Sequence, residues 1–233
     1  MDDERTAQVA AVAALAEPTR RLLYDHVVRQ AAAVSRDEAA EATAVPRATA
    51  AFHLDKLVDE GLLDAVFERR TGRSGPGAGR PAKLYRRAEC DVAVSLPERH
   101  YDLAGGLLAS AMDESEASGE PPRTALGRRA FERGRELGAA AREANGDADG
   151  RDVALRVLEQ HGFEPRAEGG AVTLANCPFH TLAREHTELV CGMNLRLLDG
   201  VLEGADAAGL VARLQPTPGR CCVRLEDDDT NGR

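Results

Sequence analysis

Apolar residues recur at helical spacing through the first sixty residues of the chain, in Ala-rich segments that two prolines interrupt. Pro18 and Pro46 each stand where a helix can begin, because the first turn of a helix has no partner for the N–H that proline lacks. Gly61 follows the last of these segments and is the residue type that most often follows a helix. The N-terminal part of the chain is therefore predicted to consist of short helices with tight connections.

The limits of two of these helices can be predicted. Ser35 and Glu38 have the spacing of a capping box, in which each side chain accepts a hydrogen bond from the backbone of the other residue, so a helix is expected over residues 36–43. The next helix is expected to start at Pro46 and to end before Gly61. Two short helices that meet at a tight turn are typical of a helix-turn-helix.

Beyond Gly61 the pattern changes from helical to extended. Leu62–Phe67 and Ala82–Arg87 are short β-prone runs, and a Gly-rich loop at 71–81 lies between them. These features predict a β-hairpin with a long tip, which is the wing of a winged helix.

The second half of the chain alternates between helical and extended patterns. A helix near Arg99–Met112, a polar linker at 113–122 and a helix from 123 to about 144 are followed by a Gly- and Asp-rich break at 146–150. A helix, two strands, two helices and two final strands are predicted after the break. We therefore expect a mostly helical α+β protein. Its predicted parts are a winged helix-turn-helix at 1–90, a helical linker and dimerisation segment at 91–148, a cysteine-containing α+β sensor domain at 149–227 and an acidic tail at 228–233.

Composition narrows the possible classes of function. With a net charge of −9 and a pI near 5.3, the chain is not expected to coat nucleic acid or membranes by overall attraction, so any DNA contact must be local. The acidic start and the short apolar run at 9–16 predict neither a signal peptide nor a membrane span, and hence a cytoplasmic protein without a membrane partner. Five cysteines, an odd number, indicate thiols, metal ligands or core residues rather than a disulfide framework.

The helix after Pro46 has two different faces. Its apolar residues are expected to face the core: Ala51, Leu54, Leu57 and Val58. Candidate contacts to double-stranded DNA lie on the opposite face and at the helix start: Arg47, Thr49, His53 and Lys56. Arginine and lysine suit guanine acceptors or phosphates, and threonine suits a base edge or a thymine methyl group. By itself, the same pattern also fits an ordinary solvated helix face.

The hairpin supplies a second observation in favour of DNA. Residues 66–87 contain seven basic residues and a single acid, which gives a local net charge of +6 within a chain of net charge −9. A Gly-rich tip flanked by arginines can reach phosphates or enter a minor groove. The candidate DNA-binding residues of this segment are Arg69, Arg70, Arg73, Arg80 and Lys83.

Three segments, 15–22, 50–63 and 79–85, resemble ArsR-type winged-helix transcriptional regulators over about the first ninety residues. The resemblance implies a homodimer that binds a two-fold DNA operator with one recognition helix in each half-site. It leaves the signal open, because regulators of this type respond to many different signals.

Four of the five cysteines lie beyond residue 176: Cys177, Cys191, Cys221 and Cys222. No C-x-x-C pair occurs, which argues against a zinc knuckle or a thioredoxin-like site. If Pro178 starts a helix, Cys177 and His180 share one face of that helix. The next helix is expected to begin at Cys191. Both cysteines would then lie near helix N-termini, which favour thiolates.

On a strand, neighbouring residues point to opposite faces, so one cysteine of the pair at 221–222 is expected to join Cys177 and Cys191. Three thiolates and a further ligand fit an iron-sulfur cluster or a Cys3His zinc site, whereas buried cysteines acting as small core residues are the simpler alternative.

This arrangement of cysteines resembles the SufR-like branch of ArsR-related regulators, in which the C-terminal cysteines bind an iron-sulfur cluster and report its status to assembly genes. The resemblance implies a transcriptional repressor with Cys177, Cys191 and one of Cys221 or Cys222 as ligands of a 4Fe-4S or 2Fe-2S cluster. Some relatives place another cysteine between the second and the last ligand, and residues 192–220 contain none. The fourth ligand is therefore open among His180, His186, the other vicinal cysteine and an external molecule.

The same domain also resembles the 4-vinyl-reductase-like fold, so zinc and a small organic ligand are alternative signals. A thiol enzyme that uses Cys177 with His180 or His186 is a further alternative. Because no orienting acid, oxyanion loop or phosphate-binding motif accompanies that pair, we expect a regulator rather than an enzyme.

Overall fold

A computed structural model of the chain describes residues 2–68, 81–217 and 219–228. The chain divides into two compact units, Met1–Val94 and Ser95–Arg233, and each has its own hydrophobic core. The helices predicted as a separate linker and dimerisation segment belong to the second unit, because their apolar faces contribute to its core.

The first unit contains four helices and three strands within its described residues. They are α1 (Asp2–Ala14), α2 (Pro18–Val28), β1 (Val34–Ser35), α3 (Arg36–Thr43), α4 (Arg47–Asp59), β2 (Leu63–Glu68) and β3 (Ala82–Arg87). The predicted capping box is present, since the Glu38 N–H donates to Ser35 Oγ at 3.2 Å and the Ser35 N–H donates to the Glu38 carboxylate at 2.8 Å. Helix α3 therefore has the predicted limits, and α4 begins directly after Pro46.

The three strands form an antiparallel sheet in the order β1-β3-β2. Strand β3 has the predicted limits, and β2 is displaced by one residue from its predicted position. Strand β1 was not predicted, because two residues are too few to show an alternating pattern; Val34 pairs with Tyr85 and Ser35 with Leu84. Ser35 thus joins the sheet and caps α3, which fixes the start of the helix pair against the wing strands.

Helix α4 packs on the core of this unit through Ala50, Leu54 and Leu57, each fully buried. Ala51 and Val58, which were predicted to face the core, are only partly buried. The buried stripe is therefore turned slightly from the predicted one, because α4 packs against both α2 and α3.

The second unit contains five helices and four strands within its described residues. They are α5 (Tyr101–Ser118), α6 (Pro122–Asn145), α7 (Gly150–Gln160), β4 (Pro165–Glu168), β5 (Ala171–Leu174), α8 (His180–Glu185), α9 (Thr187–Gly204), β6 (Leu210–Leu214) and β7 (Val223–Asp227). The strands form an antiparallel sheet in the order β4-β5-β7-β6. Helix α5 continues beyond the predicted end at Met112, because Glu114 forms ion pairs with Arg128 and Arg129 of α6 at 2.8 and 2.6 Å.

Helices α6 and α9 approach so closely that glycine is required on both. A Cβ atom at Gly134 of α6 would lie 2.0 Å from the Leu197 carbonyl oxygen, and one at Gly200 of α9 would lie 2.1 Å from the Phe131 carbonyl oxygen. Because these neighbours are backbone atoms, a side chain could be accommodated only by moving one helix. The pair therefore forms a rigid centre of the second unit, and α9 carries Cys191 at a fixed position within it.

Within the described ranges, no helix is both long and apolar enough to cross a membrane.

Candidate functional sites

Four cysteines come together in the core of the second unit. Cys177 lies between β5 and α8, Cys191 lies near the start of α9, and Cys221 and Cys222 directly precede β7. All four are free thiols, and their exposed fractions lie between 4% and 9%. Three segments far apart in the sequence thus deliver sulfur atoms to one apolar region.

Side-chain hydrogen bonds connect these four residues in a chain, from Cys177 to Cys221, from Cys221 to Cys222 and from Cys222 to Cys191. We refer to the four side chains as the thiol group. The expectation that only one cysteine of the vicinal pair joins the others is wrong, because both precede β7 and the alternation of a strand does not apply to them.

The protons of three of these cysteines, Cys177, Cys191 and Cys221, are held more tightly than those of ordinary cysteines, because the pKa of each is raised. The hydrogen bond with Cys221 and then burial raise the pKa of Cys177, and burial raises the pKa of Cys191 although its hydrogen bond with Cys222 lowers it. The hydrogen bond with Cys177 lowers the pKa of Cys221, but the bond with Cys222 and burial raise that pKa to about 12. The prediction that helix N-termini favour thiolates here is therefore wrong for the protein without a metal, since desolvation opposes the charged form.

The structure does not bring an imidazole into the thiol group. Helix α8 begins at His180 rather than at Pro178, so Cys177 and His180 do not share a helix face. The His180 N–H donates to the Cys177 carbonyl at 3.1 Å, but its side chain is exposed, as is that of His186. Neither histidine therefore lies beside the thiol group, whereas both cysteines of the vicinal pair belong to it.

Two polar side chains that sequence reasoning missed lie against the thiol group. Asn194 of α9 donates from Nδ2 to Cys221 Sγ at 3.2 Å, and Arg99 donates to the Cys177 carbonyl at 3.0 Å. The only sequence signal for Asn194 is a polar residue three positions after Cys191 in an otherwise apolar run. Nothing in the sequence near Arg99 connects it with cysteines almost eighty residues away.

As the side chains lie, no group of three or more His, Cys, Asp or Glu residues in the described ranges is arranged to hold a metal ion. Four soft donors are nevertheless the ligand number and type that iron-sulfur clusters and closed zinc sites use. The donor set fits such a group, and binding requires that the sulfur atoms lose their protons and turn towards one centre.

A cavity of about 220 Å³ lies beside Cys221 on the sheet. Its polar lining includes Glu168, Thr173, Gln215, Arg220 and Arg224. Arg220 is held by the Glu168 carboxylate, with both oxygens at 2.8 Å. The cavity is thus a polar space with a thiol of the group in its wall.

In the first unit, α4 presents most of the predicted DNA-contacting residues to solvent. Arg47 and Thr49 are exposed, and Lys56 is partly exposed. His53 is not on this face: its side chain is only 12% exposed, and Nδ1 lies 3.6 Å from the carboxylate of Glu17, the N-cap residue of α2. The structure therefore places the His53 side chain beside the N-terminus of α2 instead of on the exposed face of α4.

Each cation predicted to bind DNA, among those that the structure describes, is paired with a carboxylate. The pairs are Arg47 with Asp37, Lys56 with Glu60 at 2.5 Å and Lys83 with Asp55 at 2.6 Å. Ion pairs at such exposed positions contribute only about 0–1 kcal/mol. A phosphate group can therefore replace these carboxylates at small cost.

A family model described as a helix-turn-helix domain matches residues 15–66, which run from three residues before α2 into β2. Residues 15–66 are a helix-turn-helix domain. The match, together with the solvent-facing helix α4, supports a DNA-binding transcriptional regulator. No curated protein and no solved structure matches the chain.

The exposed face of the helix-turn-helix domain also carries an aromatic residue that sequence reasoning missed. Phe52 on α4 is 64% exposed, and its ring contacts the His53 ring edge to face, with the two centroids 5.3 Å apart. Large exposed aromatic groups are unusual, and an apolar side chain on this face can contact a thymine methyl group. Its position opposite Leu54 and Leu57 on the helix was the available signal.

The wing following the helix-turn-helix domain is described only in part. Lys83 on β3 lies within the described residues and binds Asp55 of α4. The predicted phosphate contacts Arg69, Arg70, Arg73 and Arg80 lie outside them.

Proposed function

We propose that this protein is a homodimeric, ArsR-type transcriptional repressor whose thiol group binds an iron-sulfur cluster, and that the state of the cluster controls binding to a two-fold DNA operator. The observation that carries the proposal is the meeting of four buried thiols in the core of a chain that also has a helix-turn-helix domain. Neither feature alone distinguishes a sensor from a simple DNA-binding protein or from a protein with cysteines in its core.

The position of the thiol group supports a sensing role. The four cysteines come from three different segments, and Cys191 is on α9, which packs against α6 without room for adjustment. Bound cluster would link these segments, and its loss would release them, because four thiols without a metal are held only by hydrogen bonds and packing. A ligand shifts the equilibrium between two conformations of a protein only if it binds one of them more tightly. A cluster that links the three segments would bind more tightly to the conformation in which they lie together.

Two alternatives of the same class use the same residues. Four cysteines also form a closed zinc site, in which zinc takes the place of the cluster. The polar cavity beside Cys221 favours the other alternative, a small organic effector that binds there and acts on the thiol group.

Metal content decides between these alternatives. The protein is purified without oxygen, and its visible spectrum is recorded together with its iron, sulfide and zinc contents. We expect a brown protein with iron and acid-labile sulfide in about equal amounts. A colourless protein that cannot be reconstituted with iron and sulfide contradicts the cluster, and one zinc per chain supports the zinc site instead.

Cysteine variants test the link between metal and DNA. Cys177→Ser and Cys191→Ser are expected to lose the cluster and its effect on operator affinity. Cys90→Ser is the matched control, because Cys90 is exposed in the first unit and donates to the Gly61 carbonyl. Operator affinity that is the same in wild type and in both core variants, with and without iron, would contradict control by the thiol group.

A further inference from the structure

Asn194 is the most deeply buried polar side chain that the fold itself does not explain. It lies on α9, one turn after Cys191, and its exposed fraction is 0%. Its Nδ2 donates to Cys221 Sγ at 3.2 Å, whereas Oδ1 is buried without a hydrogen-bond partner. Met193, Leu197 and Leu198 around it on the same helix are buried apolar residues.

A comparison with Asn176 shows how unusual this is. Asn176 is also buried, but its amide donates to the carbonyls of Glu98 and Gly162 and accepts from Arg99, so it holds a loop in place. Asn194 has no comparable task, since α9 already has its own backbone hydrogen bonds. A buried amide oxygen without a hydrogen-bond partner destabilises the folded state, because it has lost its bonds to water. An apolar residue of the same size would make the core more stable.

The chemistry of an amide suits a sulfur atom that changes its state. A thiol can donate as well as accept, but a thiolate bound to a metal can only accept. The Nδ2 group of Asn194 is a fixed donor in contact with Cys221, and no water is needed to supply the hydrogen bond. Hydrogen bonds to ligating sulfur atoms orient them and tune the metal, and for iron-sulfur clusters they are among the factors that set the reduction potential.

We propose that Asn194 is a positioning residue of the metal centre: its amide donates a hydrogen bond to the Cys221 thiolate, orients it towards the metal and stabilises the metal-bound form. This inference rests on the proposed function in one respect, namely that the thiol group binds a metal. The inference adds Asn194 to the four cysteines of the proposed metal centre as a residue that does not bind the metal itself. Neither the spacing of the cysteines nor their chemistry identifies it.

The test compares Asn194→Leu with wild type in the full-length, reduced and metal-free protein. Leucine has nearly the same size and removes both ends of the amide. The matched control is Asn145→Leu, which makes the same change at an exposed position on α6. Cobalt(II) is added alone without oxygen, and its sulfur-to-metal absorption bands and its competition with a chelator are measured, together with urea unfolding of the metal-free protein.

We expect Asn194→Leu to be at least as stable as wild type without metal, to bind cobalt about tenfold or more weakly, and to show shifted sulfur-to-cobalt bands. Asn145→Leu should leave the affinity and the bands unchanged. If Asn194→Leu does not fold, Asn194→Ala, which needs less space, is expected to show the same weakening and the same shift.

The outcomes separate this inference from the proposed function. Wild type that binds cobalt, with the same affinity and spectrum in the Asn194 variants, overturns the role of Asn194 and leaves the metal site intact. Wild type that binds neither cobalt nor reconstituted iron and sulfide overturns both. A loss of stability without metal that accounts for all of the weaker binding, with unshifted bands, also overturns the inference, because Asn194 would then be purely structural.

Discussion

Asp55 connects the DNA-facing helix α4 to the wing strand β3. Its carboxylate accepts from Lys83 Nζ at 2.6 Å and from the Tyr85 hydroxyl at 2.7 Å. Burial raises the pKa of Asp55, but the hydrogen bonds from Lys83 and Tyr85 outweigh it, so the net pKa is lowered. The contribution of this carboxylate to stability is therefore present above the pKa of an unfolded aspartate and is lost as the pH falls through the lower folded value.

Tyr85→Phe is expected to destabilise the first unit by roughly 1 kcal/mol at neutral pH, because a buried hydrogen bond to a charged group is lost. Burial and then the bond to Asp55 raise the pKa of Tyr85 in the folded state. Above a pH of about 10 the tyrosine ionises only when unfolded, so wild type loses stability there and Tyr85→Phe does not. Urea unfolding at pH 7 and pH 10.5 measures the free energy of unfolding of wild type and of Tyr85→Phe.

Tyr24→Phe, at a partly buried position, is the control. If the difference in stability between Tyr85→Phe and wild type widens at high pH, the buried hydrogen bond from Tyr85 to Asp55 is contradicted.

His161 makes the second unit sensitive to mild acid. Burial, and to a smaller extent the charge of His100, lower the pKa of His161, although the hydrogen bond from Nδ1 to the Val157 carbonyl at 2.8 Å raises it. As the pH falls below about 6.5, the unfolded histidine takes up a proton before the folded one, so stability decreases until the lower folded pKa is reached. His161→Gln should unfold thermally with a smaller change between pH 7.5 and pH 5 than wild type does. The exposed His186→Gln is the control, and an equal pH dependence in His161→Gln and wild type would count against a buried neutral imidazole.

At the scale of elements, the contact between α6 and α9 determines where Cys191 and Asn194 lie. Gly200→Ala places a Cβ atom 2.1 Å from the Phe131 carbonyl oxygen, so the helices must separate. We expect a loss of about 1–3 kcal/mol or more in the free energy of unfolding. Gly192→Ala is a matched control in the same helix, since its Cβ atom meets nothing within 4 Å and alanine favours a helix by up to about 1 kcal/mol. Equal stability of the two variants in urea unfolding would show that the close approach is not maintained.

Elements with a local signal could be predicted from the sequence, and those without one could not. The capping box of Ser35 and Glu38 gave the limits of α3, because its hydrogen bonds join residues three apart. The start of α8 was wrong, because Pro178 permits a helix start without requiring one, and the chain turns once more before His180. Strand β1 exists only because β3 lies beside it.

At the scale of the whole molecule, the charge distribution makes a prediction about DNA. The chain is acidic overall, but residues 66–87 carry a net charge of +6. Joint replacement of Arg69, Arg70, Arg73 and Arg80 by alanine is expected to weaken operator binding and to reduce the slope of log affinity against log salt by about 0.9 for each lost phosphate contact. A matched control replaces four arginines of the second unit, Arg151, Arg156, Arg166 and Arg196. Fluorescence anisotropy over a range of salt concentrations measures the operator affinity of the wing variant and of the control variant. An unchanged slope in the wing variant would contradict phosphate binding by the wing.

The sequence by itself determined the features that depend on neighbouring residues: the helix pair with its turn, the two wing strands, the local basic charge and the order of elements after residue 150. Caps, prolines and alternation act within a few residues, so no long-range contact is needed to predict them. Only the tertiary structure decided that Cys221 and Cys222 both join Cys177 and Cys191, that His53 turns towards Glu17, and that Asn194 donates to a thiol. The cysteine and Asn194 contacts depend on how α9, β7 and the loop before α8 pack, and the position of His53 depends on how α4 packs against α2. Packing is a property of a whole core rather than of any segment.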